Sequence, residues 1–338
     1  MKTRLITVVS VLFGSFLLFS NGAGAWEPKR PVEFVIQTSP GGGSDQYARL
    51  WIGLIEKYKL SPVPFIPVNM PGGAGAVALN HLFTKKDDPH FISPTLNSVI
   101  TTPLLQKIPV MYLSEDLTPI VKMMMDPFLL VVNPKKYKNF EEFLAACRKG
   151  PITAVGTGSR QEDEIQIFLM QHAFKCQAFR YVPEKGGGDV ARSVAGGHAD
   201  FNVNQPSEML PNYPKLLIPI MSFQKQRPKE FPEAATHWEK KINSQWAELL
   251  DLETGLHQMR GVIGSPNMPK DAVKWYEDLF RKVWETKEWK EFMQKGAMQP
   301  IFMRSEEYKK FLIRFENNHV KVMRDVIGWK LRDDLRKR

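Results

Sequence analysis

The chain is poor in cysteine and histidine, and after residue 25 it has no apolar run long enough to cross a bilayer. Cys147 and Cys176 are its only cysteines, which excludes a disulfide-dense scaffold. Two cysteines alone make a poor metal site. The seven histidines are dispersed. There is no His-Glu-x-x-His pair, Gly-x-Ser-x-Gly elbow or Walker loop, so the usual zinc, serine-hydrolase and nucleotide-hydrolase signatures are missing. No metal or cofactor is implied. Gly73-Ala74-Gly75-Ala76-Val77-Ala78 fits a loose dinucleotide pattern, but Asn97 stands where an acid should hold the ribose, and that reading is rejected.

What is present begins with Lys2 and Arg4, an apolar stretch over 5–19 and the end Ala23-Gly24-Ala25. This reads as a secretory signal cleaved before Trp26, with a periplasmic mature protein. In that oxidising compartment Cys147 and Cys176 can pair, but each also lies in a helical apolar pattern. A disulfide and two buried thiols both remain open. Residues 26–338 suffice for two domains at roughly 150 residues each. The net charge is +10, yet Lys and Arg are interleaved with acids, as in Lys274-Trp275-Tyr276-Glu277-Asp278. Such interleaving marks solvated helix faces, and no nucleic-acid motif accompanies it. A monomer is expected.

Strand and helix patterns alternate, which predicts an α/β architecture. Strands are expected at 32–36, 64–68 and 91–96, with helices after the first two following the glycine-rich segments 39–45 and 69–75, the second helix over 76–83. A second unit begins near Phe128. It holds a helix at 140–147, a strand at 152–155, a helix at 164–174, and later strands near 179–182, 199–203 and 216–220. The remainder reads as helix-rich, with stripes such as Ala272, Tyr276, Leu279 and Phe280 that pack on a core.

One device recurs at 39–45, 69–75, 156–159 and 186–189: a strand, a glycine-rich loop, then a helix. Glycine lets backbone N–H groups approach a ligand, and a helix N-terminus adds partial positive charge. Two such loops fall in each unit. A cleft between the units would offer N–H donors from both walls, which suits a small organic anion.

At these residues the chain resembles the substrate receptors of tripartite tricarboxylate transporters, the TctC or Bug family. The resemblance rests on Trp26-Glu27-Pro28 with Pro31-Val32, on Pro40-Gly41-Gly42-Gly43-Ser44-Asp45 with Ala48-Arg49, and on Asn69-Met70-Pro71-Gly72-Gly73-Ala74-Gly75. Asp116-Leu117-Thr118-Pro119-Ile120, Gly156-Thr157-Gly158-Ser159, Val182-Pro183, Gly196-Gly197-His198-Ala199-Asp200 and Gly261-Val262-Ile263-Gly264-Ser265-Pro266 follow in family order. The chain departs from the family at Asp88-Pro89-His90-Phe91 and at Arg160, which with Gln161, Glu162 and Asp163 replaces a usual histidine.

The resemblance implies a two-lobed periplasmic binding protein, type II-like, with an interlobe ligand cleft and two crossing strands. Lobe one is expected at 26–127 plus 223–338 and lobe two at 128–222. The implied function is capture of a small carboxylate for membrane permease subunits, not catalysis. The alternatives are a receptor that feeds a sensor kinase, or a hydrolase using His198 and Asp200. Candidate ligand-binding residues in lobe one are Ser39, Gly42, Gly43, Asp45, Gly73, Ala74, Asn97 and Ser98. Those in lobe two are Thr157, Ser159, Arg160, Gly187 and Asp200, with Arg160 expected to reach the distal acid group of the ligand.

Overall fold

The computed structural model describes residues 26–40, 43–242, 244–252 and 255–337. The expected signal at 1–25 and the candidate Gly42 lie outside the described residues.

The chain begins with strand–helix pairs. β1 (Val32–Ile36) leads to α1 (Gly43–Lys57), and β2 (Phe65–Asn69) leads through the turn Gly73–Gly75 to α2 (Ala76–Phe83). β3 (Phe91–Pro94) is followed by α3 (Ser98–Leu105), α4 (Leu113–Asp116) and the long β4 (Thr118–Asp126). Next come β5 (Leu129–Val132), α5 (Phe140–Lys149), β6 (Thr153–Thr157), α6 (Glu162–Phe174), β7 (Arg180–Glu184) and α7 (Gly187–Ala195). β8 (Phe201–Asn204), α8 (Pro206–Met209), β9 (Ile218–Ser222), β10 (Ala235–Thr236) and α9 (Ser244–Leu250) follow. The chain then forms β11 (Gln258–Gly264), α10 (Lys270–Glu285), α11 (Lys287–Lys295), β12 (Met303–Arg304) and α12 (Ser305–Lys321).

These strands form two mixed sheets, ordered β12-β4-β11-β3-β1-β2 and β10-β9-β5-β8-β6-β7. Alternation along the strands explains why both faces are covered. In β1, Val32, Phe34 and Ile36 enter a core with Trp51, Tyr276, Phe280 and Trp289, while Val35 joins Leu79, Leu82 and Leu104 on the other face. In β5, Leu130 and Val132 pack with Phe143 and Phe201, while Leu129 and Val131 meet Val190, Val194 and Met209.

Two differences from the sequence reading bear on the site. The remainder after 223 is not simply helical, because it supplies β11, antiparallel to both β3 and β4 near the middle of the first sheet. The chain also stays with the second sheet beyond Ser222: β10 pairs with β9, and α9 packs on α6. The open question of the cysteines is answered by a Cys147–Cys176 disulfide, which closes 29 positions and ties α5 to the end of α6. A loop of that length contributes about 3–4 kcal/mol in the chain-entropy account.

Candidate functional site

In open α/β sheets a crevice forms beyond the carboxyl ends of the parallel strands. Here the loops at those ends in both sheets border one cavity of about 670 Å³. Thr38, Ser39, Gly43 and Ser44 reach it from the start of α1, and Ala74 and Gly75 from the second glycine turn. Leu96 and Ser98 reach it from the loop after β3. The opposite wall holds Thr157, Gln161, Glu162 and Asp163 around the start of α6. Lys185, Gly186 and Gly187 before and at the start of α7, and Ser207 and Glu208 on α8, also line that wall.

The first-sheet wall is rich in donors. The early N–H groups of a helix have no intrahelical partner, and Gly43 and Ser44 place the first turn of α1 at the cavity. The Ser44 hydroxyl is buried and has no hydrogen-bond partner. At the second turn Gly73, Ala74 and Gly75 have φ values of 56°, 53° and 99°. Glycine adopts these angles freely, whereas an alanine there costs about 1–2 kcal/mol. The Ala74 carbonyl is fixed by the Thr102 hydroxyl at 2.8 Å, so local strain is held at the cavity wall.

β11 adds a cation. Because it runs antiparallel to β3 and β4, its first residues arrive at the edge where those strands end. Arg260 is 6% exposed, faces Asp126 at 3.5 Å and lies 4.6 Å from the Tyr47 ring centroid. Its Nη2 would stand 3.6 Å from a Cβ built on Gly43, so the guanidinium borders the first loop. Its Nε has no partner. The Tyr47 hydroxyl donates to Asp126 at 3.0 Å. Burial raises the Asp126 carboxyl above its ordinary range, against the pull of Arg260 and Tyr47.

The second-sheet wall is acidic. Glu162 accepts the Ser98 N–H at 3.2 Å and the Gln258 amide at 3.3 Å, and so spans from α6 to the first sheet. Burial raises its carboxyl too. Asp163 accepts the Thr157 N–H at 2.8 Å and is pushed up to about 7, chiefly by burial and also by Glu162. Glu208 is pushed up to about 8 by burial, then by Asp163 and Asp126. A Cβ on Gly187 would collide with the Glu208 carboxyl, so that carboxyl lies against the start of α7.

The structure brings together Ser39, Gly43, Ala74, Ser98, Thr157 and Gly187 from the sequence candidates. The other described candidates stand elsewhere. Gly73 lies in the turn behind Ala74. Asp45 is buried under the loop, accepting from both Arg49 and Asn69 at 2.9 Å. Asn97 is buried beneath Ser98, where it bonds Leu256, His257 and Met259 and pins β3 to β11. Ser159 and Arg160 are exposed outside the cavity lining, and the Arg160 N–H donates to Glu164. Asp200 is engaged by Tyr137, Thr153 and Lys136.

The sequence reading missed Arg260 and Glu208. A lone arginine in the run Gln-Met-Arg-Gly-Val-Ile-Gly was an available signal, since a cation in a buried strand needs a partner. Glu208 follows Pro206 and Ser207 in a short helix and has no such signature.

Two sheets whose strand-end loops border one cavity give the chain a two-lobed architecture. The family described as tripartite tricarboxylate transporter family receptor matches residues 57–327, and the chain belongs to it. The UPF0065 protein in the gbd 5′ region of Cupriavidus necator is 24% identical over 294 residues, 84% of each chain. An R. palustris protein solved with adipate superimposes with a TM-score of 0.75 at 15% identity, covering 88% of this chain and 98% of that one. MatC from Rhodopseudomonas palustris with bound malate gives a TM-score of 0.68 at 18% identity, covering 89% of this chain and 99% of that one. At these identities the likeness shows the fold, that of two-lobed periplasmic binding proteins. Among the described residues no helix is long and apolar enough to cross a membrane.

Proposed function

We propose that the protein is a periplasmic receptor that takes a small organic acid into this cavity and delivers it to membrane permease subunits. The observation that carries the reading is the first-sheet wall, where the start of α1, the turn at Ala74 and Arg260 border one cavity. Helix N-termini and an arginine together favour a carboxylate. Two structural neighbours, solved with adipate and malate, support an acid of that size class. The lobes follow the two sheets, with the chain changing lobe at Pro127-Phe128 and returning at Leu256-His257. Ligand would then favour closure of the lobes over it.

The test is a thermal-shift screen of mono-, di- and amino-carboxylic acids on the mature protein, with calorimetry on the hits. An acid at 100 times its dissociation constant stabilises the folded state by about 2.7 kcal/mol. A panel in which no acid shifts the transition would sink the reading.

A further inference from the structure

The two walls of the cavity differ in charge. The first-sheet wall offers Arg260, the start of α1 and the unpartnered Ser44 hydroxyl. The second-sheet wall presents Glu162, Asp163 and Glu208. The glycine loops of that second wall were the features expected to hold an anion, but the protein's own carboxylates fill them. Asp163 takes the Thr157 N–H in the loop after β6, and Glu208 lies at the start of α7. The exposed Arg160, the cation expected to counter a distal acid group, is outside the lining.

An independent observation points to a missing partner. Glu162 is 6% exposed and lines the cavity, yet its Oε2 has no hydrogen-bond partner, while Oε1 already accepts from Ser98 and Gln258. A buried carboxylate oxygen left without a donor is costly unless a ligand supplies one. No other charged group facing this wall donates to that oxygen, although the charge of Arg260 draws Glu162 and Glu208 down from across the cavity. Arg260 is paired with Asp126, Lys185 is exposed, and Glu164 accepts from the Arg160 backbone. The Tyr181 hydroxyl is given to the Gly158 carbonyl. A metal ion is not the missing partner: among the described residues no group of three or more such side chains could hold one.

We infer that the ligand is an amino-carboxylate, its carboxylate seated beside Ser44 and Arg260 and its ammonium group held by Glu162 with Asp163 and Glu208. This rests on the organic-acid reading above and narrows it. A plain dicarboxylate would place its second carboxylate against three acids. An ammonium group instead supplies the donor that Glu162 Oε2 lacks, and its charge offsets the burial, and the lesser repulsion from neighbouring acids, that raise Asp163 and Glu208.

The experiment is titration calorimetry of the mature protein with matched pairs: glutamate against glutarate, aspartate against succinate, and 4-aminobutyrate against succinate. At least one amine-bearing acid should bind about tenfold or more tightly than its amine-free partner. Its affinity should strengthen between pH 6 and pH 8.5, as Asp163 and Glu208, pushed up to about 7 and about 8, lose most of their protons. Glu162→Gln, which keeps the shape of the side chain, should erase most of that preference. Circular dichroism and the melting temperature would check that the variant is folded, and Glu208→Gln serves if it is not. Dicarboxylates that bind as well as or better than every amine-bearing partner, or more tightly at pH 6, would overturn the inference and leave the receptor reading intact. If no acid of either kind binds, the receptor reading itself fails and the inference falls with it.

Discussion

Arg260 has two roles at the residue scale, one toward the protein and one toward the cavity. It faces Asp126, which is 1% exposed and also accepts from the Tyr47 hydroxyl, and it draws that carboxyl down against the burial that raises it. It also borders the loop at Gly43. A single substitution confuses the two roles, and a pair of substitutions separates them. Arg260→Gln strands Asp126 and should cost about 3–5 kcal/mol of stability, the usual result of breaking a buried pair. Adding Asp126→Asn removes the stranded charge and should restore most of that loss in urea unfolding. Affinity for the best acid of the screen should stay at least about tenfold below wild type in the double variant. Wild-type affinity in that variant would leave Arg260 with the structural role alone.

At the scale of elements, β4 and β11 are where the sequence was least legible, and both carry a charge inside an apolar run. β1 (Val32–Ile36) and α2 (Ala76–Phe83) were read residue for residue, because their apolar spacing is intact and glycine or proline bounds them. β11 is buried along its whole length, so it shows no alternation, and its glycines resemble loop signals. Gly261 is there because a Cβ would collide with the Val121 carbonyl on β4, a packing reason invisible in one sequence. The same limit applies to the site. Four glycine loops could be seen, but not that Glu208 fills one of them.

In β4 the interrupting residue is Lys122. It is fully buried, its Nζ lies 3.6 Å from the Phe311 ring centroid, and it has no hydrogen-bond partner. Burial, with Arg314 adding to it, lowers its ammonium group to about 7. Between pH 7 and its ordinary range near 10.5 the unfolded chain therefore binds a proton that the folded chain does not. Its contribution to stability rises with pH across that window. Lys122→Met removes the penalty while keeping the length of the side chain. The variant should melt above wild type at pH 6, and its advantage should shrink by at least about 1.4 kcal/mol by pH 9, one pKa unit's worth. An advantage that does not vary with pH would show that packing, not protonation, sets the difference.

At the scale of the whole molecule, the connection between the lobes turns on His257. Where the chain leaves β4 for the second sheet, the Phe128 N–H donates to His257 Nδ1 at 2.9 Å. The other ring nitrogen lies 2.8 Å from the Leu250 carbonyl, which can only accept, so the proton of the neutral ring is on Nε2. The ring also packs 5.8 Å from those of Phe128 and Phe223, centroid to centroid. One neutral imidazole thus joins the outgoing and returning segments. Burial depresses it to about 4, and His319 in α12 is depressed to about 4 for the same reason. A histidine held neutral in the folded state contributes stability that is lost as pH falls from about 6.5 toward 4, because the unfolded chain takes up the proton first. Wild type should therefore lose stability steeply over that window. His257→Phe leaves the Phe128 N–H without an acceptor and should cost about 1–3 kcal/mol at pH 7.5. Its decline below pH 6.5 should be shallower than wild type by about 1.4 kcal/mol per pH unit, the slope of one proton. Urea unfolding across the window reads both quantities, and an acid slope unchanged in the variant would remove His257 from the account and leave His319 and the carboxylates to explain it.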